Sequence, residues 1–183
     1  MTNITGGNQL LDAEKNLQKM GVKKGSQVAD LGCGAVGYFT FPASRIVGDD
    51  GLVYAVDIRK MVLEGIRNRA RIDGISNIKT VWSNLEIPKA TGILDNSLDV
   101  AMLITVLFQG EKRKEMLAEA IRMIKPGGNL GIIDWKKEKT PIGPPLERRV
   151  EVDEVVSYCR EQGLTLEEEF EAGKYHFGLL FKK

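Results

Sequence analysis

Between Val28 and Gly37 the chain reads Val-Ala-Asp-Leu-Gly-Cys-Gly-Ala-Val-Gly, an apolar run that breaks into a G-x-G-x-x-G turn and then into a helical pattern. A strand that turns this tightly into a helix brings bare backbone to the helix N-terminus, where missing side chains let a ligand come close. Three glycines alone serve a tight turn as readily as a ligand, and the strand ahead of them favours the ligand. The next apolar run, Leu52 to Val56, stops at Asp57, 25 positions after Gly32 (57 − 32). A carboxylate there is placed to accept hydrogen bonds from two ribose hydroxyls, or else to cap the helix that follows. Nicotinamide-binding and methyl-donor-binding folds share these features.

The remaining pattern extends the same alternation. Leu10, Ala13, Leu17 and Met20 recur at helical spacing ahead of Gly21. Gln27 to Leu31 predicts the first strand and Phe39 to Val47 the next helix, with Pro42 in its first turn. Val62, Ile66 and Ala70 share a helix face, and Ile78 to Trp82 reads as a third strand. Leu98 to Thr105 is apolar almost without a break, as in a strand covered on both faces. Met116, Ala120 and Ile124 mark a helix that Pro126, Gly127 and Gly128 end before a strand at Leu130 to Ile133. Val152, Val155 and Cys159 mark the last helix. Leu164 to Phe170 and Tyr175 to Phe181 then form two strands whose short link at Gly173 makes them antiparallel. This pattern predicts one doubly wound α/β sheet with a reversed strand.

A chain of 183 residues suits one domain with one sizeable core. Its 26 basic and 25 acidic side chains create no field that would draw in nucleic acid or an anionic membrane. Cys33 and Cys159 lie far apart without metal-ligand spacing, so we expect no metal, no disulfide and a reducing, cytoplasmic setting. Residues 1 to 8 lack the pattern of a secretory leader, and the apolar run from Val100 to Phe108 is about half the roughly 20 residues a membrane span requires.

Four segments taken in order carry a resemblance: Val-Ala-Asp-Leu-Gly-Cys-Gly, Val-Tyr-Ala-Val-Asp at 53–57, Ser-Leu-Asp-Val at 97–100 and Ile-Lys-Pro-Gly-Gly at 124–128. Together they resemble the class I S-adenosylmethionine-dependent methyltransferases, in particular the branch acting in ubiquinone and menaquinone biosynthesis. The resemblance implies a Rossmann-like seven-stranded sheet of order 3-2-1-4-5-7-6 with strand 7 antiparallel and helices on both faces. It divides the single domain into an N-terminal segment and helix (1–24), a cofactor-binding core (25–135) and a loop, helix and hairpin (136–183). It also implies S-adenosyl-L-methionine as cofactor and S-adenosyl-L-homocysteine as product.

Carried over by position, Asp30 faces the methionine part of the cofactor, and Gly32, Cys33, Gly34 and Gly37 form the backbone cradle. Asp57 holds the ribose and Ile58 packs on the adenine. Asn84 accepts from the adenine amino group, the amide of Leu85 donates to the ring, and Thr105 lines the far side. Two positions depart from the family: Val36 lengthens the usual G-x-G-x-G spacing, and Asn84 replaces an Asp, giving up the charge that strengthens such a bond.

The acceptor side is less defined. The turn at Gly173 brings Tyr175 and His176 toward the cofactor rim, which makes His176, the only histidine, a candidate general base or acceptor-orienting group with Tyr38 and Tyr175 as walls. The alternative is an edge-strand histidine bonded locally. Asp134 and Trp135 either read the acceptor or cap the loop and fill the core. Arg148 and Arg149 either bind an anionic acceptor or are solvated. Ile104 to Phe108 lacks the Asp/Asn-Pro-Pro-aromatic set of base-amine methylases, and two separated thiols do not suit an arsenite methyltransferase. The short stretch after strand five leaves the pocket open to a large, chain-like or macromolecular acceptor, or closed by the segment around Gly6 and Gly7. A small or lipid-like acceptor leads; an RNA or protein acceptor and a non-catalytic binding or partner subunit are the alternatives. Monomer and homodimer are both open.

Overall fold

The structure is a computed structural model that describes residues 10–183. The segment around Gly6 and Gly7 lies outside the described residues. The elements follow as α1 (Ala13–Lys19), β1 (Gln27–Leu31), α2 (Thr40–Val47), β2 (Leu52–Asp57), α3 (Lys60–Ile72), β3 (Ile78–Trp82), β4 (Leu98–Ile104), α4 (Arg113–Met123), β5 (Ile124–Trp135), α5 (Val152–Glu161), β6 (Thr165–Gly173) and β7 (His176–Lys182). The seven strands form one sheet in the order β3-β2-β1-β4-β5-β7-β6. Only β7 runs against its neighbours, pairing antiparallel with both β5 and β6.

Helices on both faces explain why the central strands are apolar without alternation. Along β4 every residue except Asp99 is buried. Leu103 and Ile132 face Leu117, Ile121 and Cys159 on one side. Met102 and Ile133 face Leu17, Met20 and Val47 on the other. Removing one of these side chains, as in Leu103→Ala, costs about 2–5 kcal/mol by transfer and cavity terms. The outer strand β6 is instead mostly exposed and carries Glu167, Glu168 and Glu169, charges that discourage pairing with another sheet edge.

Two expectations change. Leu10 lies outside α1 and is exposed, so the apolar stripe begins at Leu11 and Ala13. Ile124 does not continue α4 but opens β5 opposite Leu98, with ψ near 133°. Its apolar side chain fits the helical period and the buried strand equally, and the Pro-Gly-Gly that follows is an outward bulge between two paired stretches of β5. Among the described residues no helix is long and apolar enough to cross a membrane.

β1 pairs with β2 on one side and β4 on the other. Its following connection therefore leaves toward one half of the sheet while the later strands build the other half. The crevice outside the carboxyl ends of β1 and β4 is where an open α/β sheet accepts ligands.

Candidate functional site

That crevice holds a cavity of about 640 Å³. Its walls come from the turn after β1 (Gly32 to Val36), the end of β2 (Asp57 to Arg59), the stretch after β3 (Ser83 to Glu86) and the stretch after β4. Sequence reasoning placed Gly32, Cys33, Gly34, Asp57, Ile58, Asn84, Leu85 and Thr105 here, and all eight line it.

The glycine turn works differently from a cradle of free amides. The amides of Gly32 and Cys33 both donate to the Val56 carbonyl, at 2.8 and 2.9 Å. The Gly34 amide donates to Asp57 Oδ2 at 3.2 Å. Three amides of the turn are thus engaged within the protein, and what the turn offers a ligand is room. Gly32 has φ 88°, and a Cβ there would sit 2.6 Å from Val106 Cγ2. At Gly34, φ is 68° and a Cβ would meet nothing within 4 Å, so this position opens onto the cavity. Gly37 stands off the cavity wall and instead lets the turn pack against Ile66 and Phe41.

Asp57 lines the cavity beside the turn and is buried. Oδ1 accepts from the Arg59 amide at 2.9 Å and from Arg59 Nε at 3.2 Å. The Arg59 side chain is 63 % exposed and that of Asp57 6 %, so solvent reaches the pair from the arginine side. Asp57 does not cap α3, whose N-cap position is Arg59 with no side-chain bond.

Asp30 is buried and absent from the cavity wall. Its Oδ2 accepts from Thr40 Oγ1 at 2.6 Å. Burial, with the nearby charge of Asp57 adding to it, pushes its pKa up to about 6. It lies behind the glycine turn as a carboxylate that a neighbouring cation would stabilise. Burial first, then Asp30 and Asp57, raise the Cys33 thiol far above its usual range, which leaves it inert as a nucleophile.

On the far wall, Asn84 Oδ1 accepts from the Glu86 amide at 2.9 Å, an Asx-type turn that shapes the stretch after β3. Glu86 Oε1 takes the Glu111 amide at 2.8 Å and so ties this stretch to the start of α4. The Ser83 hydroxyl is buried with no hydrogen-bond partner among the described residues. Thr105, at the end of β4, holds φ 51°, a conformation costly for a branched side chain, and its amide donates to Ile133 at 2.7 Å. Sequence reasoning singled out neither Ser83, Glu86 nor Arg59 as a site residue. The first two flank Asn84 and Leu85, to which the resemblance gives the adenine contacts, and Arg59 follows Ile58 directly.

The proposed acceptor residues do not line this cavity. Tyr38 donates to the Leu11 carbonyl at 2.9 Å. The Asp134 side chain is fully buried and accepts from the Phe108 and Trp135 amides at 3.2 and 2.8 Å. Burial raises its pKa to about 7, against the pull of those amides. Asp134 therefore reaches the site through Phe108, which does line the cavity. Trp135 and His176 are buried side by side, with ring centroids 4.2 Å apart. Among the described residues neither imidazole nitrogen nor the indole N–H has a partner. Burial, then Arg149 and Lys136, lower the His176 pKa to about 4. Tyr175 is half-buried beside Lys174 and takes the Lys136 amide on its carbonyl.

Arg149 is not the solvated charge its sequence context suggested. Only 4 % exposed, it donates to the carbonyls of Pro144, Lys136, Glu138 and Ile142 and to Thr140 Oγ1. The flanking Arg148 is exposed as expected.

A sheet of this order with a reversed seventh strand, a glycine turn after β1 and an acid closing β2 define a class I S-adenosylmethionine-dependent methyltransferase domain. A solved S-adenosylmethionine-dependent methyltransferase from Aquifex aeolicus superposes with TM-score 0.84 at 32% identity, covering 96% of this chain and 91% of that one. The chain belongs to the ubiE/COQ5 methyltransferase family, whose profile matches residues 8–145. The "Ubiquinone/menaquinone biosynthesis C-methyltransferase UbiE" of Haemophilus ducreyi is 35% identical over 130 residues, 70% of this chain and 47% of that protein. Its counterpart in Vibrio campbellii is 33% identical over 147 residues, 79% of this chain and 54% of that protein. The chain spans about half the length of the curated relatives it matches.

The cofactor of this class fits the residues present. The opening at Gly34, the carboxylate of Asp57 on the cavity wall and the Ser83 hydroxyl, unpartnered among the described residues, are what an adenosyl group with a cationic sulfur requires. Among the described residues no cluster of three metal-ligating side chains occurs.

Proposed function

We propose that this chain transfers a methyl group from S-adenosyl-L-methionine to a carbon of a small hydroxylated ring of the quinol type. The observation that carries the reading is Asp57 lining a cavity at the β1/β4 crevice, beside a glycine turn that leaves room for a ligand. Support for the acceptor class comes from the names of the relatives, which are carbon methyltransferases of quinone biosynthesis. Two buried free thiols, Cys33 and Cys159, agree with a cytoplasmic setting.

When bound, the cofactor supplies an electrophilic methyl on a cationic sulfur. Asp57 accepts from the ribose hydroxyls, releasing the exposed Arg59 guanidinium to solvent. Ile58 and Leu85 provide apolar walls for the adenine, and Ser83 and Asn84 provide polar atoms at its edge. Asp30 and Asp57 lend negative potential behind the turn, complementary to the sulfonium. Thr105 and Phe108, fixed from beneath by Asp134, form the wall toward the acceptor. In-line transfer then depends on positioning and on excluding water rather than on a dedicated group that bonds to the methyl.

The test is transfer of isotopically labelled methyl to a naphthohydroquinone, with bulk RNA and a mixed protein pool as competing acceptors. Label in the hydroquinone carbon skeleton supports the reading. Label in RNA or protein alone, or tight cofactor binding with no transfer to any pool, contradicts it.

A further inference from the structure

At the far end of the same rim, β4, β5 and β7 lie side by side, and Trp135 and His176 are paired across β5 and β7. From Thr105 on the cavity wall to His176 is two strand spacings, about 10 Å, the breadth of a substituted ring. Three nitrogens meet there without partners among the described residues: Nδ1 and Nε2 of His176 and Nε1 of Trp135. Buried polar groups are almost always satisfied, so three in one contact mark a place built for an atom the protein does not supply. Arg149 lies with its guanidinium carbon 5.6 Å from the Trp135 ring centroid. All its hydrogen bonds go to neutral oxygens, and among the described residues no carboxylate pairs with it. A buried cation without a counter-ion favours an anion nearby.

We infer that Trp135 and His176 form the acceptor-oxygen pocket: the indole N–H and one imidazole N–H donate to the ring oxygen next to the reacting carbon and favour its anionic form. This rests on the proposed function and replaces a proton-taking role for His176. Its depressed pKa leaves the imidazole neutral near pH 7, a donor rather than a strong base.

The acceptor's hydroxyl proton passes to solvent water as the oxyanion forms. Electron density moves from the oxyanion into the ring, the new carbon–carbon bond forms to the methyl, and the sulfur–methyl bond breaks with its electron pair going to sulfur. The proton on the methylated carbon then leaves to solvent and restores the aromatic ring. The cover that must yield to admit the ring is the strap of residues 136–145. It contains neither helix nor strand and rests Gly143 on the Trp135 ring, with the Arg149 side chain holding its carbonyls.

Trp135→Phe keeps the ring and removes the donor; His176→Gln retains an amide N–H of different reach. Wild type and both variants are compared for cofactor affinity by calorimetry and for kcat/KM with a naphthohydroquinone. We expect cofactor affinity within twofold of wild type and kcat/KM lower by tenfold or more in each variant. Normal cofactor binding with kcat/KM within twofold in both variants overturns the pocket while leaving the methyltransferase reading intact. Cofactor binding without transfer by the wild type overturns that reading and the pocket with it. Should a variant fail to fold, Trp82→Phe leaves Trp135 as the single indole, whose emission must be quenched saturably by the hydroquinone; no quenching in a protein that turns the hydroquinone over sinks the assignment.

Discussion

The two ends of the carboxyl rim of this sheet handle polarity in opposite ways. Around β1, β2 and β3 the glycine turn, Asp57, Ile58 and the stretch after β3 surround a cavity open to solvent, and both carboxylate oxygens of Asp57 accept hydrogen bonds. Around β5 and β7 the side chains are aromatic and sealed, three nitrogens lack partners among the described residues, and Arg149 is buried among carbonyls. The first end is organised by backbone geometry, so its requirements are written into a local string of residues. The second is organised by packing between segments far apart in sequence. Binding a constant cofactor and selecting a particular acceptor are thereby separated within one sheet.

The largest effect that can break this contrast is at Asp57. Asp57→Asn removes the charge from two proposed ribose contacts, each worth about 1.5 kcal/mol, so calorimetry should show cofactor affinity lower by roughly 100-fold. Retained affinity would mean that the open end does not bind the nucleoside.

The glycines give the next test. Gly32→Ala forces a Cβ to within 2.6 Å of Val106 at positive φ and should lower stability by about 1–3 kcal/mol in thermal or denaturant melts. Gly34→Ala, with open space around it, should cost about 1 kcal/mol in stability yet weaken cofactor binding by at least tenfold. Similar behaviour of the two variants would erase the distinction between a turn that packs and a turn that admits.

At the sealed end, Arg149→Lys loses the planar fork that reaches five oxygens and should cost about 1–3 kcal/mol, with cofactor affinity unchanged. A shift in cofactor affinity would show that the two ends are coupled.

The smallest effect is in the pH dependence of stability, where the ends have opposite signs. Asp30, raised to about 6, stabilises the fold while protonated, so its contribution is lost as pH rises from about 4 to 6. His176, lowered to about 4, stabilises while neutral, so its contribution is lost as pH falls from about 6.5 to 4. Asp134, raised to about 7, acts with Asp30 and persists in both variants. Between pH 4 and 6, Asp30→Asn should make Tm climb more with pH than in wild type. His176→Gln should make it fall, each by a few degrees at about 2–4 °C per kcal/mol for a chain of this size.

The same contrast decides how much was legible in the sequence. β1, β3 and the end of β2 at Asp57 are found where the apolar runs and the acid place them, because strand ends and glycine turns are local features. The role of Gly37 in packing against Ile66 and Phe41 is not legible, since it depends on α3 folding back onto the turn. Ile124 was read as helix because one apolar residue satisfies a period of 3.6 and a buried strand alike. The burial of Arg149 is not legible either, because nothing in Arg-Arg tells which side chain turns inward; the carbonyls that hold it come from residues 136 to 144. For Trp135 and His176 the sequence shows only that both sit near the rim. Their contact, and the lack of partners, arise from strand pairing 41 positions apart (176 − 135).

The nucleotide end of the rim is most directly tested by titrating the protein with S-adenosylmethionine, and separately with NAD, in two buffers of different ionisation heat near pH 6. We predict saturable binding of one S-adenosylmethionine per chain, with net proton release as the sulfonium draws Asp30 back toward an ordinary carboxylate, and no comparable heat from NAD. Preferential binding of NAD, or no binding of the sulfonium, would contradict the account at its base.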